Sequence, residues 1–159
     1  MASSIPLPPL GKARTVKGVF SRETSIRITI QAAPSVIWAL LTNASGFPRW
    51  NSTVLSLEGE IKLGEHIKLT SILAPKRSFK LKVSEMEPEK RLVWEDAQGR
   101  RVYTLTLMEQ GTVLFSMVEK IGGLLFPLYA NYIPSFDKTF EQFAADLKKQ
   151  AEATAHNNQ

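Results

Sequence analysis

Ile26, Ile28 and Ile30 alternate with Arg27, Thr29 and Gln31, a period of two that predicts a half-buried strand over 24–31. Directly behind it the period lengthens. Val36, Ile37, Leu40 and Leu41 form one stripe, with Trp38 beside it and Pro34 suited to the first turn, so a short helix is predicted there. Asn43, Ser45, Gly46 and Pro48 end it in an aromatic turn, Phe47-Pro48-Arg49-Trp50-Asn51. Six further strands are predicted over 53–58, 66–73, 79–86, 91–95, 102–109 and 112–119. Their connections are short and turn-like, as at Glu87-Pro88-Glu89 and Gln110-Gly111, which implies an antiparallel meander. Phe79, Leu81 and Val83 alternate with Lys80 and Lys82, giving that strand one dry and one wet face.

After Gly122-Gly123 the spacing becomes helical. Phe136, Phe140, Phe143 and Leu147 fall on a single stripe of a long final helix, and Pro134 breaks it from the apolar residues upstream. Residues 153–159 read as a frayed tail and residues 1–23 as a flexible basic arm, with 24–152 as the folded domain.

Charge sharpens the division. Lys12, Arg14, Lys17 and Arg22 stand in the first 22 residues without an acid, while the rest of the chain holds 16 bases and 15 acids. The folded part is close to neutral, whereas a nucleic-acid binder carries its basic footprint on the fold, so no nucleic-acid partner is expected. The arm has some of the composition of an organellar leader. Its prolines would break an amphipathic helix early, so a cytoplasmic protein is the expectation. Cysteine is absent, which removes thiolate chemistry and sulfur-ligated metals. No apolar run approaches the roughly 18 residues that span a bilayer.

The ordered set Ile30-Gln31-Ala32-Ala33-Pro34 with Val36, Trp38 and Leu41, then Phe47-Pro48-Arg49-Trp50-Asn51, Gly64, Glu87-Pro88 with Leu92-Val93-Trp94, and Gly122-Leu124-Leu125-Pro127 before Phe136 and Phe140 resembles the START / polyketide cyclase / plant allergen superfamily (SRPBCC). The likeness covers about residues 24–152. It implies an α+β helix-grip fold, a seven-stranded curved antiparallel sheet around a long C-terminal helix with a cavity between them. Members bind lipids, sterols, polyketides or hormones, some act as cyclases or dehydratases, and others assist a protein partner. A fold of this kind narrows the function without fixing it.

With the Phe79, Leu81, Val83 face taken as inward, the candidate ligand-binding residues are Trp50, Leu69, Ser71, Phe79, Leu81, Trp94, Tyr103, Leu105, Leu107, Tyr129, Ile133, Phe136 and Phe140. On the last strand both faces are apolar. Leu114, Ser116 and Val118 compete with Val113, Phe115 and Met117 for the inside. Most such residues are core, and Tyr103, Trp94 and Tyr129 stand out because each has a polar handle that must find a partner when buried. Trp50 and Asn51 are expected at the mouth of the cavity, where a packed hinge is as good an explanation as ligand contact.

Catalytic constellations are weak. His66 and His156 are the only histidines and neither has a Ser or Asp partner nearby in sequence, so neither a triad nor a metal site is expected. Glu95-Asp96 and Arg100-Arg101 flank one turn and read as a surface ion-pair cluster. If the protein is an enzyme, Tyr103 is the first candidate acid or base, with Ser71 and Ser116 behind it. The expectation is non-covalent binding of a hydrophobic small molecule or lipid, with no cofactor and no obligate protein partner. A transient membrane contact is attached to the basic group Lys76, Arg77, Lys80 and Lys82. The rival readings are a cyclase- or dehydratase-type enzyme and a protein-interaction module.

Overall fold

The computed structural model describes residues 7–158. Eight strands form one antiparallel sheet in the order β1-β2-β8-β7-β6-β5-β4-β3. They are β1 (Arg14–Lys17), β2 (Ser21–Ile30), β3 (Val54–Glu58), β4 (His66–Ser71), β5 (Phe79–Glu87), β6 (Arg91–Glu95), β7 (Gly99–Leu107) and β8 (Val113–Gly122). Short helices α1 (Pro34–Leu41) and α2 (Phe47–Trp50) connect β2 to β3. A single turn, α3 (Phe126–Tyr129), precedes the long helix α4 (Asp137–Asn157).

The α+β helix-grip expectation holds, with one strand more than foreseen. The extra strand, β1, lies within the segment expected to be a flexible arm: Arg14 to Lys17 pair with Ser25 to Arg22, and β2 itself begins at Ser21. Residues 1–6 of that arm lie outside the described residues. The frayed tail expected over 153–159 differs too, since α4 stays helical to Asn157 with Ala155 packed against the core; residue 159 lies outside the described residues. The Ala151 and Ala155 methyls continue the core-facing stripe beyond Leu147, which keeps this last stretch packed.

Helix α4 is held from two sides. Along the β1–β2 edge, the Ala13 amide donates to Glu141 Oε1 at 3.1 Å, and the Gln31 amide donates to Glu152 Oε1 at 3.1 Å. Lys148 Nζ reaches the Thr29 carbonyl at 3.1 Å. Across the helix, Asp146 accepts from the Ser52 amide at 2.8 Å and the Ser52 hydroxyl at 2.7 Å. Buried Asn51 organises that turn: its side-chain oxygen accepts from the Thr53 amide and hydroxyl. Asn51 caps local backbone, as the packed-hinge explanation supposed.

Register decides which face is inside. Tyr103 pairs with Met117 and Leu105 with Phe115. All four are buried, so Val113, Phe115 and Met117 are the inward set on β8. Ser116 falls on the other face, opposite Arg27 and Thr104, away from the core.

Candidate functional site

Between the sheet and α4 the space is occupied by aromatic rings. Phe143 of α4 stacks on Tyr103 (5.8 Å between centroids) and Phe115 (6.4 Å), and meets Phe47 (6.1 Å) and Trp50 (5.9 Å) from α2. Trp94 completes the cluster, edge-on to Tyr103 at 5.0 Å and 5.9 Å from Phe47. Each such pair contributes about 0.5–1.5 kcal/mol beyond area burial. The expected open cavity is closed by this packing. Two depressions, of about 580 and 310 Å³, lie elsewhere on the surface. Gln31, Gln110, Thr112 and Asn158 line the first; Asn43, Ser45, Glu60 and Lys62 line the second. Both are open and mix polar with small apolar side chains, such as Ala33 and Val36 in the first and Ala44 and Ile61 in the second, and neither is lined by an aromatic ring.

A charged island borders the rings where β7 begins and β8 ends. Arg101 Nε donates to Glu119 Oε1 at 2.9 Å, with the two side chains only 18% and 17% exposed. The Arg101 guanidinium sits over the Phe140 ring at 5.2 Å. Burial disfavours its charge, but the Glu119 carboxylate and the Tyr103 phenol together more than offset that and hold its pKa above the usual arginine range. Arg22 lies over the Phe136 ring at 4.8 Å and donates to the Ile133 carbonyl at 3.2 Å and the Pro134 carbonyl at 2.8 Å. Desolvation lowers its pKa, opposed by Glu119 and Asp137. Thr24 and Thr15 share a hydroxyl hydrogen bond of 2.9 Å, and the Thr15 hydroxyl also donates to Asp137.

Beside this island, polar atoms are left over. The Trp94 indole N–H and Arg22 Nε are buried without a hydrogen-bond partner, and the Tyr103 hydroxyl lies close against the Arg101 guanidinium without a well-formed hydrogen bond to it. Burial pushes the Tyr103 phenol up to about 12, even though the adjacent Arg101 charge pulls the other way. The phenol is therefore a neutral donor at ordinary pH. Trp50 Nε1 is also unpaired.

Of the residues expected at the site, Trp94, Tyr103, Leu105 and Phe140 are brought together inside, and Leu69 is buried on β4. Trp50 is half-buried against Phe47, and Phe136 stacks on Phe140 at 6.1 Å. Ile133 contributes its carbonyl to Arg22. Leu81 is half-buried on the core's margin, and Phe79 is half-buried with its ring under Arg77 at 4.8 Å. Ser71 closes the turn after β4 by accepting from the Leu73 amide at 3.2 Å, and Tyr129 packs edge-on to Phe126 at 5.5 Å. Leu107 is a correction: at the last position of β7, where the chain runs into the 109–111 turn, it is 65% exposed.

Sequence reasoning missed Arg101 and Glu119. Arg100 does pair at the surface, with Glu85 at 2.5 Å and Glu95 at 3.1 Å, but its neighbour turns inward. Parity carried the signal, since Arg101 lies two residues before Tyr103 and Glu119 two after Met117. Among the described residues, no group of three His, Cys, Asp or Glu side chains is placed to hold a metal ion, and no helix is long and apolar enough to cross a membrane.

No protein-family model and no curated protein matches the chain. Solved structures do. A conserved protein of unknown function from Enterococcus faecalis aligns with a TM-score of 0.65 at 16% identity, over 90% of this chain and 78% of its own. A START superfamily protein from Mycobacterium smegmatis aligns at 0.61 and 12% identity, over 83% of this chain and 98% of its own. The fold is the START-like helix-grip fold. DynU16, from the dynemicin biosynthetic locus, shares it with a TM-score of 0.61 at 14% identity, over 84% of this chain but 48% of its own. At these identities the START-like likeness is one of architecture, and the chemistry has to be argued from the side chains.

Proposed function

We propose that this START-like domain binds an apolar small molecule or lipid bearing one polar group, non-covalently, between the inner face of the sheet and α4. The observation that carries this is that two buried donors, the Tyr103 hydroxyl and the Trp94 indole N–H, are left without a well-formed hydrogen bond on rings whose centroids are 5.0 Å apart, with the Tyr103 hydroxyl against Arg101 of the Arg101–Glu119 pair. Buried donors without partners are rare in folded proteins because each forfeits its hydration, so a ligand oxygen reaching them would recover that cost. The surrounding rings would supply the apolar contact, with Phe136 and Phe140 facing the two arginines. A closed interior is compatible with this reading if the segment between β8 and α4 moves to admit the ligand.

The test is native mass spectrometry of the purified chain, then extraction of what co-purifies and binding assays with fatty acids, sterols and polyphenols. A stoichiometric apolar molecule whose affinity falls about tenfold in Tyr103→Phe, the loss of roughly one hydrogen bond, is the expected result. An empty protein that binds none of the panel overturns it.

A cyclase-type activity is the second reading, supported by the same phenol: Tyr103, neutral beside a guanidinium, is a fixed hydrogen-bond donor for a substrate carbonyl. It predicts that Tyr103→Phe abolishes turnover of a polyketide substrate while its binding persists.

A further inference from the structure

The end of the domain where β2 begins and β8 ends carries its large apolar side chains outward. Val19 and Phe20, in the β1–β2 turn, are 71% and 54% exposed. Leu124, Leu125, Leu128 and Tyr132, in the segment between β8 and α4, are 66 to 88% exposed. The two segments are one surface: the Gly123 amide donates to the Phe20 carbonyl at 3.0 Å, and Ser21 and Gly122 are paired in register. A Cβ added at Gly122 would lie 2.2 Å from the Phe20 carbonyl oxygen, so the turn is seated directly on the strand end. Arg22 adds a second tie through the Ile133 and Pro134 carbonyls.

We propose that this tip docks the protein on an anionic lipid surface. Residues 17–22 and 120–136 contain Lys17, Arg22 and Lys120 and no acid. Lys17 and Lys120 are exposed on the strands just behind the apolar residues, the height at which a bilayer presents its headgroups. The nearest acids offset this arrangement only in part. Glu23 pairs directly with Lys120, but Arg100 flanks Lys120 on the next strand and Lys17 stands opposite Arg22, so each lysine also has a basic neighbour, and Asp96 is engaged by the Gln98 and Gly99 amides at 2.9 and 2.8 Å. Asp137 accepts from Thr15 inside the fold.

The shape also chooses the partner. The apolar side chains project from a tight turn and a one-turn helix instead of lining a groove, so they suit insertion into a fluid phase better than reception of a protein segment. A second copy bound through the same tip would bring two sets of bases, Lys17 and Lys120 from each copy, to one interface that holds no acid at its apolar centre. This surface is distinct from the Lys76–Lys82 group and does not depend on what the interior binds.

Co-sedimentation of the full chain with phosphatidylcholine vesicles, with and without phosphatidylserine, tests the proposal. Binding is expected to the phosphatidylserine vesicles and to weaken with salt. Leu124→Glu/Leu128→Glu should lower it at least about tenfold with unchanged circular dichroism, because these side chains make little of the fold. Lys17→Glu/Lys120→Glu should lower it on phosphatidylserine vesicles, while Lys76→Glu/Lys80→Glu should leave it unchanged. Absence of wild-type binding to either vesicle overturns the proposal. So does a dimer in light scattering that the Leu124/Leu128 variant converts to monomer.

Discussion

Arg101 and Glu119 meet across neighbouring strands with Nε 2.9 Å from Oε1, on the inner face of the sheet and under the ring of Phe140. Removing either partner strands the other charge in a poorly hydrated place. Arg101→Met or Glu119→Gln is expected to cost about 2–4 kcal/mol, slightly under the value for a fully enclosed pair because some water reaches both groups. The double variant Arg101→Met/Glu119→Leu should recover most of that loss. Urea titrations of the four proteins check it, and additive single effects would show the two residues to be energetically independent.

Tyr103 makes the fold alkali-sensitive. Its phenol rises from 10 to about 12 on folding, chiefly through burial. Between those values the unfolded chain loses the proton and the folded chain keeps it, so stability is full below pH 10 and declines as pH climbs towards 12. The decline is up to about 2–3 kcal/mol over that window, from about 1.4 kcal/mol per unit. Chemical denaturation at a series of alkaline pH values should show a shallower slope for Tyr103→Phe. At neutral pH the same variant should change stability by less than about 1 kcal/mol, because the hydroxyl it deletes lies against Arg101 without a well-formed hydrogen bond.

Alternation made much of this fold readable before any coordinates. The isoleucines of β2 fix its inward face, and the α1 stripe with Pro34 at its start predicts Pro34–Leu41 closely. β1 escaped because four residues, RTVK, on the edge of a sheet bury too little to leave a pattern. The two faces of β8 could not be ranked from composition, since both are apolar, and only pairing with Tyr103 and Leu105 decides between them. Arg101 escaped for a different reason. Charge beside a turn normally means solvent, and that expectation masked the period of two that sends Arg100 out and Arg101 in. The cavity was inferred from the resemblance, and Phe47, Phe115 and Phe143 fill the place where it was expected.

Gly122 and Gly64 should respond differently to alanine. At Gly122 the new methyl meets the Phe20 carbonyl and the Ser21 Cα, both backbone atoms, so the β1–β2 turn must shift. Gly64 has a φ of +86° but open space around its Cβ position. Gly122→Ala is expected to cost about 2–3 kcal/mol through steric displacement, and Gly64→Ala about 1 kcal/mol through backbone strain. Thermal denaturation compares them. Equal losses would mean that the turn carrying Val19 and Phe20 rides on the sheet more loosely than its geometry implies.

Arg22 is the tie between the sheet and the segment that leads into α4, and it bears on how a ligand would enter. Its two carbonyl acceptors, on Ile133 and Pro134, stand immediately before the helix, and its guanidinium rests on Phe136 at 4.8 Å. Backbone bonds inside the segment are short-range, from the Phe126 amide to Gly123, Leu128 to Leu125, Ala130 to Phe126 and Ile133 to Ala130. Arg22→Leu keeps apolar contact with Phe136 but releases both carbonyls, at a cost of about 1–3 kcal/mol. Hydrogen exchange should then accelerate across 124–136 while protection in β7 and β8 is retained, since sub-global opening follows the weakest ties. If the inner face binds an apolar molecule, the same variant should take it up faster, with a larger gain in association rate than in affinity. Unchanged exchange in 124–136 would show that the segment is held by its own packing, and entry would then have to be sought at another edge of α4.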